Sequence, residues 1–417
     1  MKKIETEDFF ESTFFLFLVK FLSFLPLLMV PLLANSVEKY IFAQAMLALT
    51  IERFLFIIYE YGLHLPNIKR ITELKSDKLY HHNISEIYTE ICCIRSLIWF
   101  LVVLLFYFTC FIFEIEAINL TFILICFIAG YFRALSPLWV YQAIKKLKFQ
   151  FYMALVSKLL CFLIVLYLYL NSYLSAINYL GILVLGEFLS TFFGVLIFKL
   201  YGFFLLVPRS QNVIQKFKEA TVFFFGRISS AGYNSIPAIA LGIYNPISFA
   251  IYAVGERLLI AMQSINSPIM DSLFAHRISD NFKKFKNAFM IFCILIFIIS
   301  TLAFILSEFI ILTLFGDSFS DSIFVFQILA IAYFFQSISS MIGHPLLTIK
   351  GFGYVTNLSV VIGFIASILI LLYLFNNSVL SGKNIATLLL LVELIVLTVR
   401  LIFIAYNKNI IFHENKS

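Results

Sequence analysis

Twelve long apolar runs limit what this chain can fold into. Each has about the 20 residues that an α-helix needs to cross a hydrocarbon core about 30 Å thick. The 417 residues are 62% hydrophobic and only 13% charged, which lies outside the range of soluble domains. We therefore predict an all-α polytopic membrane protein with about 12 transmembrane helices. The runs lie near residues 13 to 34, 40 to 60, 91 to 113, 119 to 140, 150 to 171, 176 to 200, 220 to 243, 247 to 271, 288 to 313, 323 to 345, 354 to 375 and 384 to 406.

Basic residues fall almost entirely on one side of this predicted topology. Twenty lysines and arginines lie in the terminal segments and in the loops after even-numbered runs, whereas the opposite loops hold only Lys39 and Lys383. Positively charged loops stay in the cytoplasm, so we expect both termini to be cytoplasmic. The net charge of +7 follows from this topology and does not require a nucleic-acid partner. The first run is expected to be a retained helix and not a signal peptide.

Two pairs of adjacent charges lie inside the apolar runs, at Glu52-Arg53 and at Glu256-Arg257. A rise of about 1.5 Å per residue places both pairs near the middle of the hydrocarbon core. An ionised side chain at that depth is costly unless it faces protein or water. The pairs therefore indicate either interhelical ion pairs that fix the packing or groups that handle a substrate or ion.

Corresponding features recur at a nearly constant offset. Glu52 and Glu256 differ by 204 positions, Lys20 and Arg227 by 207, Pro137 and Pro345 by 208, and Glu187 and Glu393 by 206. This offset predicts two six-helix lobes, residues 1–211 and 212–417. Because six spans return the chain to the same side, the repeats would be parallel, with their axis along the membrane normal.

Four further charged residues lie well inside predicted spans. A lumen that contains basic side chains would attract an anionic headgroup, and guanidinium groups match phosphate oxygens. Carboxylates at similar depth could bind a coupling proton or sodium ion. Structural packing is the alternative. The residues are Arg133, Lys158, Glu187 and Glu393.

A second set of basic residues lies within reach of the cytoplasmic ends of the spans. We expect these side chains to extend towards the membrane interface, because their long stems allow the charge to reach water. The residues are Lys20, Arg95, Arg227 and Arg400.

Other kinds of site are not indicated. The six cysteines lie in or beside apolar runs, where they behave as small hydrophobes and predict neither a disulfide framework nor a metal site. The sequence lacks a phosphate-binding glycine loop, and the predicted external loops are only a few residues long. We therefore expect a transporter and not an enzyme, with no catalytic residue, no metal and no cofactor beyond a coupling proton or sodium ion.

Four short motifs are spread along most of the chain. Residues 137–142 read Pro-Leu-Trp-Val-Tyr-Gln and precede Lys145-Lys146, residues 61–63 read Tyr-Gly-Leu and lead to Lys69-Arg70, residues 251–257 read Ile-Tyr-Ala-Val-Gly-Glu-Arg, and residues 315–319 read Phe-Gly-Asp-Ser-Phe. Together they resemble the motifs of Wzx-type O-antigen and polysaccharide flippases, which belong to the multidrug, oligosaccharidyl-lipid and polysaccharide exporter superfamily. One departure is Ala143, where many relatives have glycine.

The resemblance implies two six-helix lobes around a central hydrated cavity, working by alternating access in the bacterial inner membrane. The implied cargo is an oligosaccharide on undecaprenyl diphosphate, moved outwards for O-antigen or capsule synthesis, with membrane lipid and polysaccharide polymerase machinery as partners. We expect the basic residues to contact the diphosphate or sugar and the acidic ones to balance charge or carry a coupling ion. The basic set is Arg53, Arg133, Lys158 and Arg257, and the acidic set is Glu52, Glu187, Glu256 and Glu393.

Two other functions stay open at this point. A multidrug or cation exporter of the same superfamily would need an acidic cavity, and buried basic residues as numerous as buried acids disfavour it. A membrane polysaccharide polymerase or ligase would be expected to have a sizeable external loop, which the predicted topology lacks.

Overall fold

The computed structural model describes residues 18, 22, 24–74, 79–113, 119–144, 146–206, 210–275 and 282–407. Within these ranges every regular element is helical. The first eight helices are α1 (Leu25–Ala34), α2 (Lys39–Glu60), α3 (His64–Glu73), α4 (Tyr80–Ile112), α5 (Leu120–Leu135), α6 (Leu138–Ala143), α7 (Leu147–Leu170) and α8 (Ala176–Leu200). The others are α9 (Ser210–Tyr244), α10 (Pro246–Ala275), α11 (Phe282–Ile305), α12 (Ser307–Phe315), α13 (Ser322–Ile342), α14 (Gly353–Asn376) and α15 (Gly382–Tyr406).

These helices coincide with the predicted spans. In the described part of the chain, nine helices are long and apolar enough to cross a membrane. The seventh and eighth predicted spans fall on α9 and α10, which have 35 and 30 residues. Of the first predicted span, the structure describes mainly the short apolar helix α1. The prediction of an all-α polytopic membrane protein is confirmed.

The chain divides into two compact units, Met1–Ile228 and Ser229–Ser417. The N-terminal part of α9 belongs to the first unit because its side chains pack on the end of α2, where Tyr61 stacks on Phe217 and Phe224. The boundary between the two compact units therefore falls inside α9. It does not test the repeat boundary at residues 211/212, which stays a prediction.

In the first unit, the helix of the fourth span breaks between α5 and α6. Pro137 cannot donate a backbone hydrogen bond and disfavours a helical residue before it, so α5 ends at Leu135 with its last carbonyls unpaired. Neighbouring helices satisfy these carbonyls. Thr191 donates to the Phe132 carbonyl at 2.6 Å, Arg95 to Ala134 at 2.7 Å and Tyr88 to Leu135 at 2.6 Å.

The same kind of break occurs in the second unit. After α13, residues Gly343–Thr348 wind as a π-helix that contains Pro345. Arg400 on α15 donates to the carbonyl and the hydroxyl of Ser339 at 2.5 and 3.0 Å, and to the Ser359 hydroxyl at 2.9 Å. The guanidinium group lies directly against Gly343, where an added Cβ would be 2.7 Å from Arg400 Nη1.

The expectation that Arg95 and Arg400 extend towards the interface is wrong. Both are buried, at 3% and 5% exposure, because the broken helices offer carbonyl acceptors inside the protein. Arg227 is ion-paired to Glu60. Lys20 lies outside the described residues.

A repeated loop supports the internal duplication. Residues 171–178 and 377–384 share the pattern Asn-Ser-x-Leu-Ser-x-x-Asn at an offset of 206. In both copies the second residue is left-handed, with φ of 59° at Ser172 and 55° at Ser378. Ser175 caps α8 and Ser381 caps α15, each accepting a 3.3 Å hydrogen bond from an asparagine N–H. The offset equals that of Glu187 and Glu393.

We expect Gly343→Ala to destabilise the protein, because the hydrogen-bonded Arg400 guanidinium cannot move away from a new methyl group. Overpacking of this kind costs about 1 to 3 kcal/mol. Gly181→Ala is the matched control, since an added Cβ there meets nothing within 4 Å and alanine favours the helix by up to about 1 kcal/mol. Thermal unfolding in detergent measures both. Equal midpoints for the two variants would contradict a rigid contact between Gly343 and Arg400.

Candidate functional site

An ion pair between α2 and α5 forms the centre of the first unit's charged site. Glu52 is buried at 5% exposure, and its Oε1 lies 2.8 Å from Arg133 Nη2. Tyr59, two turns further along α2, donates its hydroxyl hydrogen to the same oxygen at 2.7 Å. The carboxylate is thus held by a cation and a phenol inside the membrane span.

Local packing explains why this ion pair can form. Gly130 faces the carboxylate, and a Cβ at that position would lie 2.0 Å from the Tyr59 hydroxyl and 2.2 Å from Glu52 Oε1. The Arg133 guanidinium lies 3.9 Å from the centre of the Phe56 ring, a favourable cation–π arrangement. The Arg133 side chain is nevertheless 36% exposed. It therefore keeps an accessible surface while two partners fix its position.

Two more predicted residues lie in the same electrostatic environment. Glu187 on α8 is half-buried and interacts electrostatically with Arg133 and Lys158. The structure thus brings together Glu52, Arg133, Lys158 and Glu187, which come from four helices of one unit. Arg53, next to Glu52, is half-buried on α2.

The second Glu-Arg pair lies on α10 in the second unit. Glu256 is buried at 5% exposure and Arg257 is half-buried. Gly255 beside them lets α10 approach α13 closely, since an added Cβ would lie 3.1 to 3.4 Å from Leu329, Val325 and the Phe326 backbone. A cavity shared by the two Glu-Arg pairs stays a prediction.

Glu393 has a different environment from Glu52. It is buried at 1% exposure and accepts hydrogen bonds from the Tyr233 hydroxyl at 3.0 Å and the Gln336 amide at 2.6 Å. Gln336 in turn accepts from Gln263 at 2.6 Å. These bonds join α9, α10, α13 and α15 through one carboxylate, and both direct donors to Glu393 are neutral groups.

Sequence reasoning missed a second charged cluster, centred on Glu60 at the end of α2. Its carboxylate oxygens lie 2.9 Å from His64 Nδ1, 3.8 Å from Arg95 Nη2 and 2.5 Å from Arg227 Nη1. The adjacent Tyr61 has a φ of 52° and stacks between Phe217 and Phe224, with ring centres 4.2 and 4.3 Å apart. The sequence did offer one signal for this cluster. Glu60 follows Glu52 by eight residues, so a second acidic residue lies on the same apolar helix.

The Pro-Leu-Trp-Val-Tyr-Gln motif has a packing role. Trp139 and Val140 lie in a buried cluster with Tyr88 and Phe198. Tyr141 donates to the Gly194 carbonyl at 2.8 Å, and Gly194 packs against the Pro137 ring. The motif therefore secures the broken helix against α4 and α8.

Comparisons with known proteins agree with this architecture. The family model described as polysaccharide biosynthesis protein matches residues 9–274, more than half of the chain. A search of curated proteins gives no significant sequence match.

Several solved structures share the fold. The lipid II flippase MurJ in an inward closed conformation superposes with a TM-score of 0.73 at 14% identity, covering 94% of this chain and 87% of MurJ. An inward-facing multidrug resistance MATE family transporter of the MOP superfamily gives 0.66 at 11% identity, covering 93% and 95%. An outward-facing MATE structure gives 0.53 at 10% identity, covering 96% and 95%.

At these identities the superpositions establish the fold, and the match to the family model establishes the family. The resemblance to polysaccharide flippases seen in the sequence is confirmed at this level. The chain belongs to the polysaccharide biosynthesis protein family and has the two-lobed, all-helical membrane fold of MurJ and the MATE transporters.

Proposed function

We propose that this protein is a flippase that moves undecaprenyl-diphosphate-linked oligosaccharide repeat units across the bacterial inner membrane by alternating access, for O-antigen or capsule synthesis. The family and the fold support a flippase-like transporter. The diphosphate and the sugars cannot cross hydrocarbon unaided, whereas the polyprenyl tail can remain in lipid. Both termini are proposed to be cytoplasmic, on the strength of the loop charges.

The observation that carries the proposal is the buried ion pair of Glu52 and Arg133. Glu52 Oε1 lies 2.8 Å from Arg133 Nη2 and accepts a hydrogen bond from the Tyr59 hydroxyl at 2.7 Å. The Arg133 side chain is nevertheless 36% exposed. Such a guanidinium is already oriented before a ligand arrives, which lowers the entropic cost of binding. Its planar donors match the oxygens of a diphosphate.

We assign the remaining predicted residues around this centre. Lys158 adds positive potential near Arg133, and Glu187 and Glu52 balance the charge when cargo is absent. Arg53 and Arg257 are proposed as further contacts for the diphosphate or sugar. Membrane lipid surrounds the polyprenyl tail, and polysaccharide polymerase machinery would receive the exported unit.

The coupling ion, a proton or sodium ion, is proposed to bind at Glu393, with Glu256 as the second candidate. The two direct donors to Glu393 are a phenol and an amide, so gain of a cation would not have to displace an arginine. Glu52 differs because Arg133 already neutralises it.

Deleting the gene should abolish surface polysaccharide and cause lipid-linked repeat units to accumulate in the cytoplasmic membrane, while drug tolerance stays normal. Surface glycan staining, analysis of extracted lipids and growth with toxic cations measure these outcomes, and a plasmid copy is the control. Normal surface glycan combined with drug sensitivity would favour a multidrug or cation exporter of the same fold.

Arg133→Met should reduce export at least about tenfold, the effect of losing a charge-assisted hydrogen bond. Removing Arg133 also leaves Glu52 buried without its cation, so the double variant Glu52→Gln/Arg133→Met tests the cause. If Arg133 contacts cargo, the double variant stays inactive at normal membrane levels. Recovery of export would show that the pair is structural. Lys383→Met removes a cation that lies 4.2 Å from the Phe324 ring and should leave export unchanged.

Glu393→Gln should make transport in proteoliposomes insensitive to an imposed proton or sodium gradient, because the amide cannot gain a proton or neutralise a cation. Glu52→Gln is the matched comparison and should keep the response to the gradient. A normal gradient response in Glu393→Gln would remove Glu393 from the coupling mechanism, and the same experiment on Glu256→Gln would then test the second candidate.

A further inference from the structure

Three carboxamide side chains meet between α10 and α13 in the second unit. Gln263 donates to the Gln336 carbonyl oxygen at 2.6 Å. Asn266, one turn along α10 from Gln263, donates to the Ser337 hydroxyl at 2.6 Å and accepts from the Tyr333 hydroxyl at 2.8 Å. Polar amides are costly inside a membrane helix, so three at one place require an explanation.

Two of the three amides, Asn266 and Gln336, are bonded to fully buried groups, and Gln336 in turn holds Gln263. Tyr333 is 0% exposed, Ser337 1% and Glu393 1%, and each bonds one of the amides. The amides themselves are only half-buried. Buried anchors that fix the orientation of half-open polar groups are the arrangement of a preorganised binding surface.

The amides face away from the apolar sides of their helices. Ile247 and Ile265 on α10 are 56% and 37% exposed, and their spacing of 18 residues puts them on one face of a helix with 3.6 residues per turn. Gln263 lies on the opposite face, together with the buried Glu256 seven residues earlier. On α13, the exposed Phe324 and Ile331 lie about 130° from Gln336 by the same helical periodicity. Gln263 and Gln336 therefore face protein or an aqueous space and not lipid, and Asn266 is bonded to Ser337 and Tyr333 on α13.

Hydrogen-bonding capacity remains after the described bonds are formed. A carboxamide offers two donors and two acceptor positions. The described bonds use one position of Gln263 and two positions each of Gln336 and Asn266. The positions that these bonds leave open are available to a ligand rich in neutral donors and acceptors.

The corresponding place in the first unit has different chemistry. At the offset of 204 that relates Glu52 to Glu256, Gln263 corresponds to Tyr59. At the offset of 206, Gln336 corresponds to Gly130. Tyr59 and Gly130 hold the Glu52 and Arg133 ion pair. The first unit therefore has a half-exposed cation beside these positions, whereas the half-open groups of the second are neutral amides backed by the buried Glu393.

We propose that Gln263, Asn266 and Gln336 form a subsite for the uncharged hydroxyl and acetamido groups of sugars. This inference rests on the proposed flippase function and divides its cargo chemically, with the diphosphate bound by charged residues of the first unit and the glycan recognised by amides of the second. Amides can both donate to and accept from neighbouring sugar hydroxyls. The subsite thus selects the glycan and not the carrier.

Binding of two probes to the purified protein in nanodiscs tests the subsite. One probe is the lipid-linked repeat unit extracted from the strain that carries the gene, and the other is undecaprenyl diphosphate without sugar. Gln263→Met and Asn266→Leu keep a similar side-chain shape but remove the polar groups. Each should weaken binding of the glycosylated probe about tenfold and leave binding of the bare carrier unchanged.

Gln327→Met is the matched control, because Gln327 lies on α13 as well but donates to Ser307 at 3.0 Å, outside the subsite. It should bind both probes as the wild type does. An equal loss for both probes in Gln263→Met and Asn266→Leu, or no loss for either, would overturn the sugar subsite. Failure of the wild-type protein to bind or move either probe would instead count against the flippase function itself.

Discussion

The structure depends on one constraint, which is that no backbone carbonyl inside the hydrocarbon core can be left without a hydrogen-bond donor. The proline-containing breaks after α5 and α13 create such carbonyls in both units. Thr191, Arg95 and Tyr88 supply donors in the first unit, and the Thr348 and Thr356 hydroxyls donate to the Gly343 carbonyl in the second. Arg133 lies in the last turn of α5, just before the first break, and Gln336 lies on α13, which ends at the second. The hydrogen bonds that hold each break therefore also help to position these side chains.

Each unit buries a carboxylate, and the two units stabilise it with different polar groups. In the first, Glu52 is neutralised by a cation and a phenol. In the second, Glu393 receives a phenol and an amide. A site that contains a fixed cation suits an anion, whereas a carboxylate whose direct donors are neutral has no ion pair to break when its charge changes. The two units are therefore compatible with two distinct tasks in one molecule.

The sequence was sufficient for the fold because apolar length is a local property, and all twelve predicted runs fall on helices where the chain is described. It also identified Glu52 and Arg133 as unusual, since charges are rare in such spans. It could not pair them, because their contact joins positions 81 residues apart through packing that depends on Gly130. Arg95 and Arg400 were misjudged for a related reason, because the carbonyl and hydroxyl acceptors that they bond come within reach only through the packing of distant helices. The repeated Asn-Ser-x-Leu-Ser-x-x-Asn loop was readable in the sequence and gives an offset of 206 for the predicted duplication directly.

The two helix breaks are filled in opposite ways. In the first unit the bulky group is the Pro137 ring and its partner is Gly194, whereas in the second the bulky group is Arg400 and its partner is Gly343. The two prolines are 208 positions apart, but at the offset of 206 given by the repeated loop Pro137 aligns with Gly343 and Gly194 with Arg400, so large and small have exchanged places. The two members of each pair depend on each other. A larger residue in place of the glycine would clash with its partner, and a smaller residue in place of the partner would leave a gap beside the glycine. A segment copied from one unit into the other would bring together two large or two small residues at the break, so the two breaks are not interchangeable.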